Sequence, residues 1–392
     1  MIAIAISMLW GAGFGQDPSA TFHHDNQRTG RTSNIGPLVP RIRWSVRTGS
    51  SIEASPVTAP DGTVYVASTD GQLYAFTDRG LMKWAFAAGE SIYATPAVGP
   101  NGTVYFADLN GWYYAVRPDG TLKWKQALQG SALERRVVSP PVVAETGQSY
   151  VAAWNDRLYS LGPDGRPLWV FPFEGEGQIS SAPALDAVGN VFVATHDPAN
   201  KSRIAVMKLA RETPTVLWEF SDDLGVDRNR IISSPAVDIA RSRLYVGAAR
   251  EYDGCVYAID AADGRLAYRA DLPKGVISSP AIGRDGTLYV GCLDGSVYAL
   301  APKSGATLWK FVTGAEFVMG SPTVDGADVI YVGDSDGVLH ALSRTGQEIW
   351  RYVLKSNIIS APAIGDDGTL YVTSYDSTVY AIGDRSRRRT PR

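Results

Sequence analysis

Three short groups of residues have the types that bind metal ions, and each group is incomplete. Residues 23–25 (HHD) place two imidazoles side by side, but neighbouring side chains of an extended segment point in opposite directions. Residues 196–197 (HD) have no third ligand near them in sequence. Residues 334–337 (DSDG) resemble the start of a calcium loop, but the bidentate glutamate that ends such a loop is missing. We therefore expect a polar segment lying along the disc, a loop and a tight turn, and no metal site.

The sequence contains none of three linear motifs that are typical of catalytic or phosphate-binding sites. The sequence contains no G-x-S-x-G elbow, no His-Glu-x-x-His and no phosphate-binding glycine loop. The two cysteines, Cys255 and Cys292, are too few for a disulfide framework, and only geometry decides whether they pair. Catalysis would need residues brought together from distant parts of the chain.

A repeated string describes the elements that would position any site. Residues 278–300 (SSPAIGRDGTLYVGCLDGSVYAL) reappear in similar form at 55–76, 95–116 and 361–382. In each unit Asp-Gly or Asn-Gly pairs supply the positive φ of tight hairpin turns, and three turns separate four short β runs. Both faces of TLYVG (287–291) are apolar, so such a sheet must be covered on both sides.

The unit occurs eight times. One aromatic residue closes each unit, at Trp44, Trp84, Trp124, Trp169, Trp218, Tyr268, Trp309 and Trp350. Eight repeats of a unit with four β runs predict an all-β fold, an eight-bladed β-propeller of four-stranded antiparallel blades. The last unit stops after residues 378–383, and residues 41–46 have no unit before them. We predict that this N-terminal strand completes the last blade.

Four segments are expected along the chain. Residues 1–15 resemble a signal peptide, too short to span a bilayer, which predicts export to the periplasm or the medium. Residues 16–40 form an extended lead-in, 41–384 the propeller and 385–392 a basic disordered tail. The net charge of −3 and the scattered basic residues argue against nucleic acid as a partner. We expect a monomer without stable membrane insertion.

With these elements placed, the chain resembles the PQQ-like (quinoprotein-type) propeller repeat family. Residues 258–268 (AIDAADGRLAY) and 299–309 (ALAPKSGATLW) resemble its docking motif, Ala-x-Asp-x-x-x-Gly-x-x-x-Trp, in which the Trp stacks between neighbouring blades. The resemblance covers roughly residues 20–384. It implies the fold but says little about activity, because sites and not folds carry function.

The resemblance leaves two kinds of function open. One branch of the family contains quinoprotein alcohol dehydrogenases, with pyrroloquinoline quinone (PQQ) and calcium at the propeller axis. Another contains non-catalytic propellers that bind proteins, such as the outer-membrane assembly factor BamB. This chain lacks the adjacent cysteines of the dehydrogenases, and it also lacks the lipoprotein cysteine of BamB. We expect no cofactor, and PQQ with calcium only if the enzyme interpretation holds.

Departures from the repeat concentrate in units three to five. The second and third strands are separated by 15 residues in the fourth unit (Phe192 to Met207) and 12 in the fifth (Tyr245 to Tyr257), against 9 elsewhere. Such loops emerge on one side of the disc, where repeat proteins commonly bind partners. The predicted partner-binding residues are Glu134, Arg135, Arg136, Glu174, Glu176, His196, Asp197, Lys201, Arg203, Asp222, Asp223, Arg228, Arg230, Arg250, Glu251 and Tyr252.

The sequence therefore predicts an exported, non-catalytic propeller that acts as a protein-binding scaffold through loops of blades 3–5. A PQQ- and calcium-dependent dehydrogenase, or another axial small-molecule site, is the alternative. Glycan binding through Trp112, Tyr113 and Trp154 at the channel mouth is a third possibility.

Overall fold

Short strands account for nearly all regular structure in the described part of the chain. The computed structural model describes residues 20–173, 179–197, 203–223, 233–249 and 253–384. These residues form eight four-stranded antiparallel sheets and one 3₁₀ turn, Ile239–Arg241. The predicted eight-bladed, all-β propeller is confirmed.

Each blade has four strands, A to D, counted from the innermost outward. Blades 1 to 4 contain β2 (Val57–Thr58), β3 (Val64–Ala67), β4 (Gln72–Phe76), β5 (Met82–Ala87); β6 (Ala97–Val98), β7 (Val104–Ala107), β8 (Trp112–Val116), β9 (Leu122–Ala127); β10 (Val142–Val143), β11 (Ser149–Ala153), β12 (Arg157–Leu161), β13 (Pro167–Pro172); and β14 (Ala184–Leu185), β15 (Val191–Asp197), β16 (Arg203–Leu209), β17 (Val216–Asp223). Blades 5 to 8 contain β18 (Ala236–Asp238), β19 (Arg243–Ala249), β20 (Gly254–Asp260), β21 (Leu266–Leu272); β22 (Ala281–Ile282), β23 (Leu288–Cys292), β24 (Ser296–Leu300), β25 (Thr307–Val312); β26 (Thr323–Val324), β27 (Ile330–Gly333), β28 (Val338–Leu342), β29 (Glu348–Val353); and β30 (Ala363–Ile364), β31 (Leu370–Ser374), β32 (Thr378–Gly383), β1 (Arg41–Arg47).

The chain closes the ring as predicted. β1 pairs antiparallel with β32, from Arg41 opposite Gly383 to Arg47 opposite Thr378. The innermost strands of the first and last blades, β2 and β30, also contact each other. A closed ring covers both faces of every sheet, so no blade is left with an uncovered apolar face.

Apolar side chains of each blade pack against both neighbouring blades. In β23, Leu288 and Val290 pack in the core between blades 5 and 6, whereas Tyr289 points to the core between blades 6 and 7. Cys255 is buried in the core between blades 4 and 5 and Cys292 in the core between blades 5 and 6, and the two do not form a disulfide. The alternation read from TLYVG therefore describes the packing of a whole blade.

The eight closing aromatics join each blade to the next. Each indole or phenol donates a hydrogen bond to a backbone oxygen in the C–D turn of the following blade, or, for Trp350, in the lead-in. The pairs are Trp44 to Asp78, Trp84 to Pro118, Trp124 to Pro163, Trp169 to Arg211, Trp218 to Ala261, Tyr268 to Ala301, Trp309 to Arg344 and Trp350 to Pro37. The last pair lets residues just before β1 serve as the missing turn of blade 8.

Candidate functional site

Connections between the strands leave the disc on two opposite sides. Because neighbouring strands are antiparallel, the A–B and C–D turns lie on one side, here called the turn face (in blade 1, residues 59–63 and 77–81). The B–C and D–A connections lie on the other side, called the hairpin face (68–71 and 88–96). The predicted partner-binding residues belong to the hairpin face.

Blades 4 and 5 have longer B–C hairpins than the other blades. β15 and β16 pair from Val191 opposite Leu209 out to Asp197 opposite Arg203. β19 and β15 each have 7 residues, whereas β3 and β7 in blades 1 and 2 have 4. The inserted residues therefore lengthen the strands themselves, and these hairpins reach further out on the hairpin face.

Five residues that we predicted in loops lie in strands, and the loop prediction was wrong for them. His196 and Asp197 end β15, Arg203 begins β16, and Asp222 and Asp223 end β17. The register places Asp197, Arg203 and Asp223 side by side across three strands. The physical reason is that the antiparallel ladder continues into the insertion, which satisfies the backbone groups of the added residues.

Asp222 contacts two side chains of the neighbouring blade. The Tyr257 hydroxyl of blade 5 donates to Asp222 Oδ2 at 2.7 Å, and Arg269 Nη1 lies 3.6 Å from the same oxygen. Asp222 therefore joins blades 4 and 5, and a partner would have to compete with these contacts.

Half of the predicted partner-binding residues lie outside the described part of the chain. They are Glu174, Glu176, Lys201, Arg228, Arg230, Arg250, Glu251 and Tyr252.

The turn 131–137 is described completely and holds two arginines against tryptophan rings. The guanidinium carbon of Arg135 lies 5.7 Å from the ring centre of Trp112, and Arg135 Nε donates to the backbone oxygen of Asn110 at 2.6 Å. The guanidinium of Arg136 lies 5.8 Å from the ring centre of Trp154. Both distances fall within the range of cation–π attraction, so these arginines are held in place and remain partly exposed.

Glu134 lies at the exposed tip of the same turn. The amide of Ser131 donates to its carboxylate at 2.8 Å. This hydrogen bond and the Ser131 hydroxyl, with a smaller effect from the positive charge of Arg157, hold the pKa of Glu134 below its usual value. Glu134 is thus ionised and engaged within its own turn.

Tyr113 is not a surface residue, which corrects the expectation of an aromatic trio at the channel mouth. It is completely buried in the core between blades 2 and 3. Trp112 and Trp154 are half-buried and lie at the start of strand C and in the B–C turn, away from the innermost strands. A glycan would find only these two rings.

The lead-in crosses the inner strands of seven blades on the turn face. Backbone amides within strand A of five blades donate to carbonyl oxygens of the lead-in, and two side-chain amides of the lead-in donate to two further blades. The pairs are Val98 N to Ala20 O, Leu185 N to Asn26 O, Val237 N to Gln27 O, Ile282 N to Thr29 O, Val324 N to Gly30 O, Asn26 Nδ2 to Val143 O and Asn34 Nδ2 to Ile364 O. The segment therefore closes the axial channel on this side.

Arg28 of the lead-in is fully buried at the axis. Its guanidinium donates to the backbone oxygens of Pro183 at 3.1 Å and Pro141 at 2.9 Å, and to Thr21 Oγ1 and Phe22 O at 2.6 Å. Burial lowers the pKa of Arg28 to about 9, against the opposing influence of nearby Asp25. The polar segment lies along the disc as expected, and Arg28 and His23 are buried there because their polar groups contact inward-facing carbonyls that no strand pairs.

His23 is buried beside Arg28. Its two ring nitrogens lie 2.8 Å from Arg28 O and 2.9 Å from Pro322 O. Burial lowers the pKa of His23 to about 4, although both carbonyls act in the opposite direction. The neutral ring therefore packs as part of the axial plug, which we define as residues Thr21–Gly30.

The axis does not fit PQQ with calcium. Calcium takes six to eight oxygen ligands, as a rule including carboxylates. Here the oxygens of Pro141, Pro183 and Pro322 already accept hydrogen bonds from the plug, which also brings the charged guanidinium. In the part of the chain that the structure describes, no group of three or more His, Cys, Asp or Glu is placed to hold a metal.

A concavity of about 1070 Å³ lies beside the plug on the turn face, over blades 1 to 4. Two of its carboxylates form ion pairs with lysines of their own blades, Asp61 with Lys83 at 3.2 Å and Asp186 with Lys208 at 3.0 Å. A ligand would reach these carboxylates only if the ion pairs opened.

Sequence comparison matches this architecture to one family over nearly the whole propeller. A family model described as outer membrane protein assembly factor BamB matches residues 40–146, 80–205, 110–266, 202–312 and 293–390. The chain belongs to the BamB family. The resemblance read from the repeat is confirmed.

Individual relatives match over part of their length. BamB of Burkholderia pseudomallei is 33% identical over 156 residues, which is 37% of this chain and 38% of that protein. BamB of Yersinia pestis is 26% identical over 186 residues, 44% of this chain and 46% of that protein. The aligned region thus spans less than half of each relative.

Solved structures agree on the fold. BamB of Moraxella catarrhalis is similar with a TM-score of 0.69 and 22% identity, over 90% of this chain and 99% of that one. A quinohemoprotein alcohol dehydrogenase of Comamonas testosteroni has a TM-score of 0.74 and 14% identity, over 96% and 82%. Since a binding propeller and an enzyme are equally similar in shape, the fold leaves function open.

No helix among the described residues is long and apolar enough to cross a membrane.

Proposed function

We propose that this chain is an exported, non-catalytic propeller that binds protein during outer-membrane protein assembly, in the periplasm. Membership of the BamB family over residues 40–390 carries the proposal. The axial plug supports it, because Arg28 and His23 use the inward-facing carbonyls that a cofactor would need.

We place the protein-binding surface on the hairpin face of blades 3 to 5. The extended hairpins of blades 4 and 5 and the turn 131–137 of blade 3 lie there. Rigid strands that project beyond the disc present their ends to a partner at little cost in ordering, which favours binding.

Charge reversal tests this surface. The variant with Arg135, Arg136, Arg228 and Arg230 all changed to Glu should capture the partner from a cell-envelope extract about tenfold less than the wild type, as expected when complementary charges are replaced by like charges. Its melting temperature should stay close to that of the wild type, which separates a lost partner contact from a loss of folding.

A matched control carries the same charge change on the turn face, at the exposed residues Arg79, Arg117, Arg166 and Arg265. This control should capture the partner as the wild type does. Equal capture by both quadruple variants would refute the proposed surface. The same partner should be needed for normal levels of outer-membrane β-barrel proteins in cells.

A quinone-dependent dehydrogenase is the rival function. Its support is the shape shared with the Comamonas testosteroni enzyme, at 14% identity. The axial plug is the observation against it, and ligand-dependent stability separates the two functions.

A further inference from the structure

The hairpin face of blades 2 and 3 carries several cations beside two half-buried tryptophans. This surface consists of Trp112, Lys125, the turn 131–137, Trp154 and Arg157, and we call it the cationic tryptophan patch. Lys125 Nζ lies 4.7 Å from the ring centre of Trp112. Lys125 is in the outermost strand of blade 2, β9, which pairs with the strand that begins at Trp112, β8. Trp112 thus interacts with two cations, Lys125 and Arg135.

Blade 6 shows what the same position looks like when its charge is neutralised. Lys310 faces Tyr298 across the strands as Lys125 faces Tyr114. Lys310 Nζ lies 3.0 Å from Asp294 Oδ2. Both lysines are exposed, so they differ mainly in their counter-charge.

The missing counter-charge has a simple origin in the sequence. The B–C turn reads Asp-Gly in blades 1, 6 and 7, at residues 70–71, 294–295 and 336–337. In blade 2 the same turn position holds Asn110, and in blade 3 it holds Asn155. In blade 2 the carboxylate that accepts from the strand-C tyrosine is instead Asp108, two residues earlier, with Tyr114 donating to it at 2.9 Å, and blade 3 has Asp156 directly after Asn155. The carboxylate that pairs with Lys310 in blade 6 therefore has no counterpart at the position of Asn110.

Within the described residues, no carboxylate lies within 4 Å of Lys125, Arg135, Arg136 or Arg157. Glu134 is the nearby acid, and Ser131 binds its carboxylate. Leu133, directly before Glu134 in the turn, is 70% exposed. The patch therefore combines cations that no described carboxylate contacts within 4 Å, aromatic faces and an exposed aliphatic side chain, and the charge of Arg157 acts on Glu134 only at longer range.

We infer that the cationic tryptophan patch binds an acidic protein segment that also carries aromatic or aliphatic side chains. The cations would pair with Asp and Glu side chains of the partner, and Trp112, Trp154 and Leu133 would contact its apolar groups. Arg and Trp are enriched among residues that dominate binding energy at interfaces. This inference rests on the proposed protein-binding function and gives the chemistry of the partner at one part of that surface.

The test measures fluorescence anisotropy of a labelled nonapeptide, (Glu-Glu-Phe)₃, titrated with the purified protein. We expect saturable binding that weakens as salt increases, because the contacts are charged and exposed. The neutral peptide (Gln-Gln-Phe)₃ should bind at least about tenfold more weakly, a difference of about 1.4 kcal/mol.

Three variants separate the patch from unspecific charge effects. Lys125→Gln combined with Arg136→Gln should weaken binding of the acidic peptide about tenfold, since two exposed ion pairs with the peptide and two cation–π contacts are lost. Asn110→Asp, which restores the carboxylate found in blades 1 and 6, should weaken it several-fold. The matched control Lys310→Gln should bind as the wild type does. All variants should retain the melting temperature of the wild type.

Other results would overturn the inference. Equal loss of binding in Lys310→Gln and in the double variant Lys125→Gln with Arg136→Gln would show that only overall charge matters. Binding of phosphatidylglycerol vesicles without binding of the acidic peptide would replace a protein partner by an anionic lipid surface. The titration needs no cellular partner, so its failure alongside intact capture on the hairpin face would remove this inference alone. Failure of capture with an intact titration would instead remove the proposed function.

Discussion

Arg28 attaches the axial plug to the ring through its guanidinium. The four oxygens that accept its hydrogen bonds belong to blades 3 and 4 and to the plug itself. Removing the side chain leaves these acceptors buried and unpaired, and unpaired buried groups are costly. The plug therefore depends on this one residue more than on any apolar contact that we describe.

Arg28→Ala should lower the free energy of unfolding by about 3 kcal/mol, the sum expected for several buried hydrogen bonds to a charged group. The measurement is denaturant unfolding followed by tryptophan fluorescence. The matched control is Arg31→Ala, because Arg31 lies three residues further along the lead-in, is half-buried and donates one bond, to Gly283 O at 3.3 Å. Similar losses for the two variants would contradict the role of Arg28 as the anchor of the plug.

Sequence reasoning could not find this anchor. Residues 23–25 of the lead-in have the types that bind metal ions, whereas nothing in the sequence around Arg28 indicates that its side chain is buried. Its position depends on carbonyl oxygens of Pro141 and Pro183, more than 100 residues away. Burial of a charge depends on such non-local partners, which residue type and spacing do not encode.

Strands and turns, by contrast, were well determined by local chemistry. Asp-Gly and Asn-Gly pairs set the hairpins, and alternating apolar residues set the interblade cores. The sequence did not indicate that the insertions in blades 4 and 5 lengthen the strands. Polar residues suggested loops, but the ladder of β15 and β16 continues to Asp197 and Arg203, because backbone pairing outweighs the low strand propensity of Asp.

The docking of one blade on the next depends on a glycine in the C–D turn. Gly120 has φ of 86°, and a Cβ added to it would lie 2.7 Å from the ring of Trp84 in the preceding blade. Gly314 has a similar φ of 94° with nothing within 4 Å of an added Cβ. Gly314 lies in the exposed D–A connection after β25, so it shares the left-handed φ of Gly120 but has no ring stacked on it.

Gly120→Ala should lower the free energy of unfolding by about 2 kcal/mol more than Gly314→Ala. Both variants strain a left-handed residue, and only the first displaces Trp84 from its packed position. Thermal unfolding of the two variants side by side measures the difference. A larger or equal loss for Gly314→Ala would show that blade docking does not need close contact between glycine and tryptophan.

At the scale of the whole molecule, the N-terminal part of the chain has two structural roles. β1 completes blade 8, and Pro37 just before it accepts the hydrogen bond of Trp350. Residues 20–34 cross the inner strands on the turn face, with Arg28 and His23 buried at the axis. The same part of the chain thus completes the ring and closes the axial channel on the turn face.

The central claim is that the axial plug occupies the propeller axis, where a cofactor would otherwise bind, and that the molecule acts as a binding scaffold. The direct test is the melting temperature of the purified full chain with PQQ and calcium at concentrations up to about 100 times the dissociation constants of a quinoprotein alcohol dehydrogenase run in parallel. We predict that the melting temperature of this protein stays unchanged while that of the enzyme rises. A rise of several degrees that grows with PQQ concentration, as mass action requires of a bound cofactor, would contradict the claim.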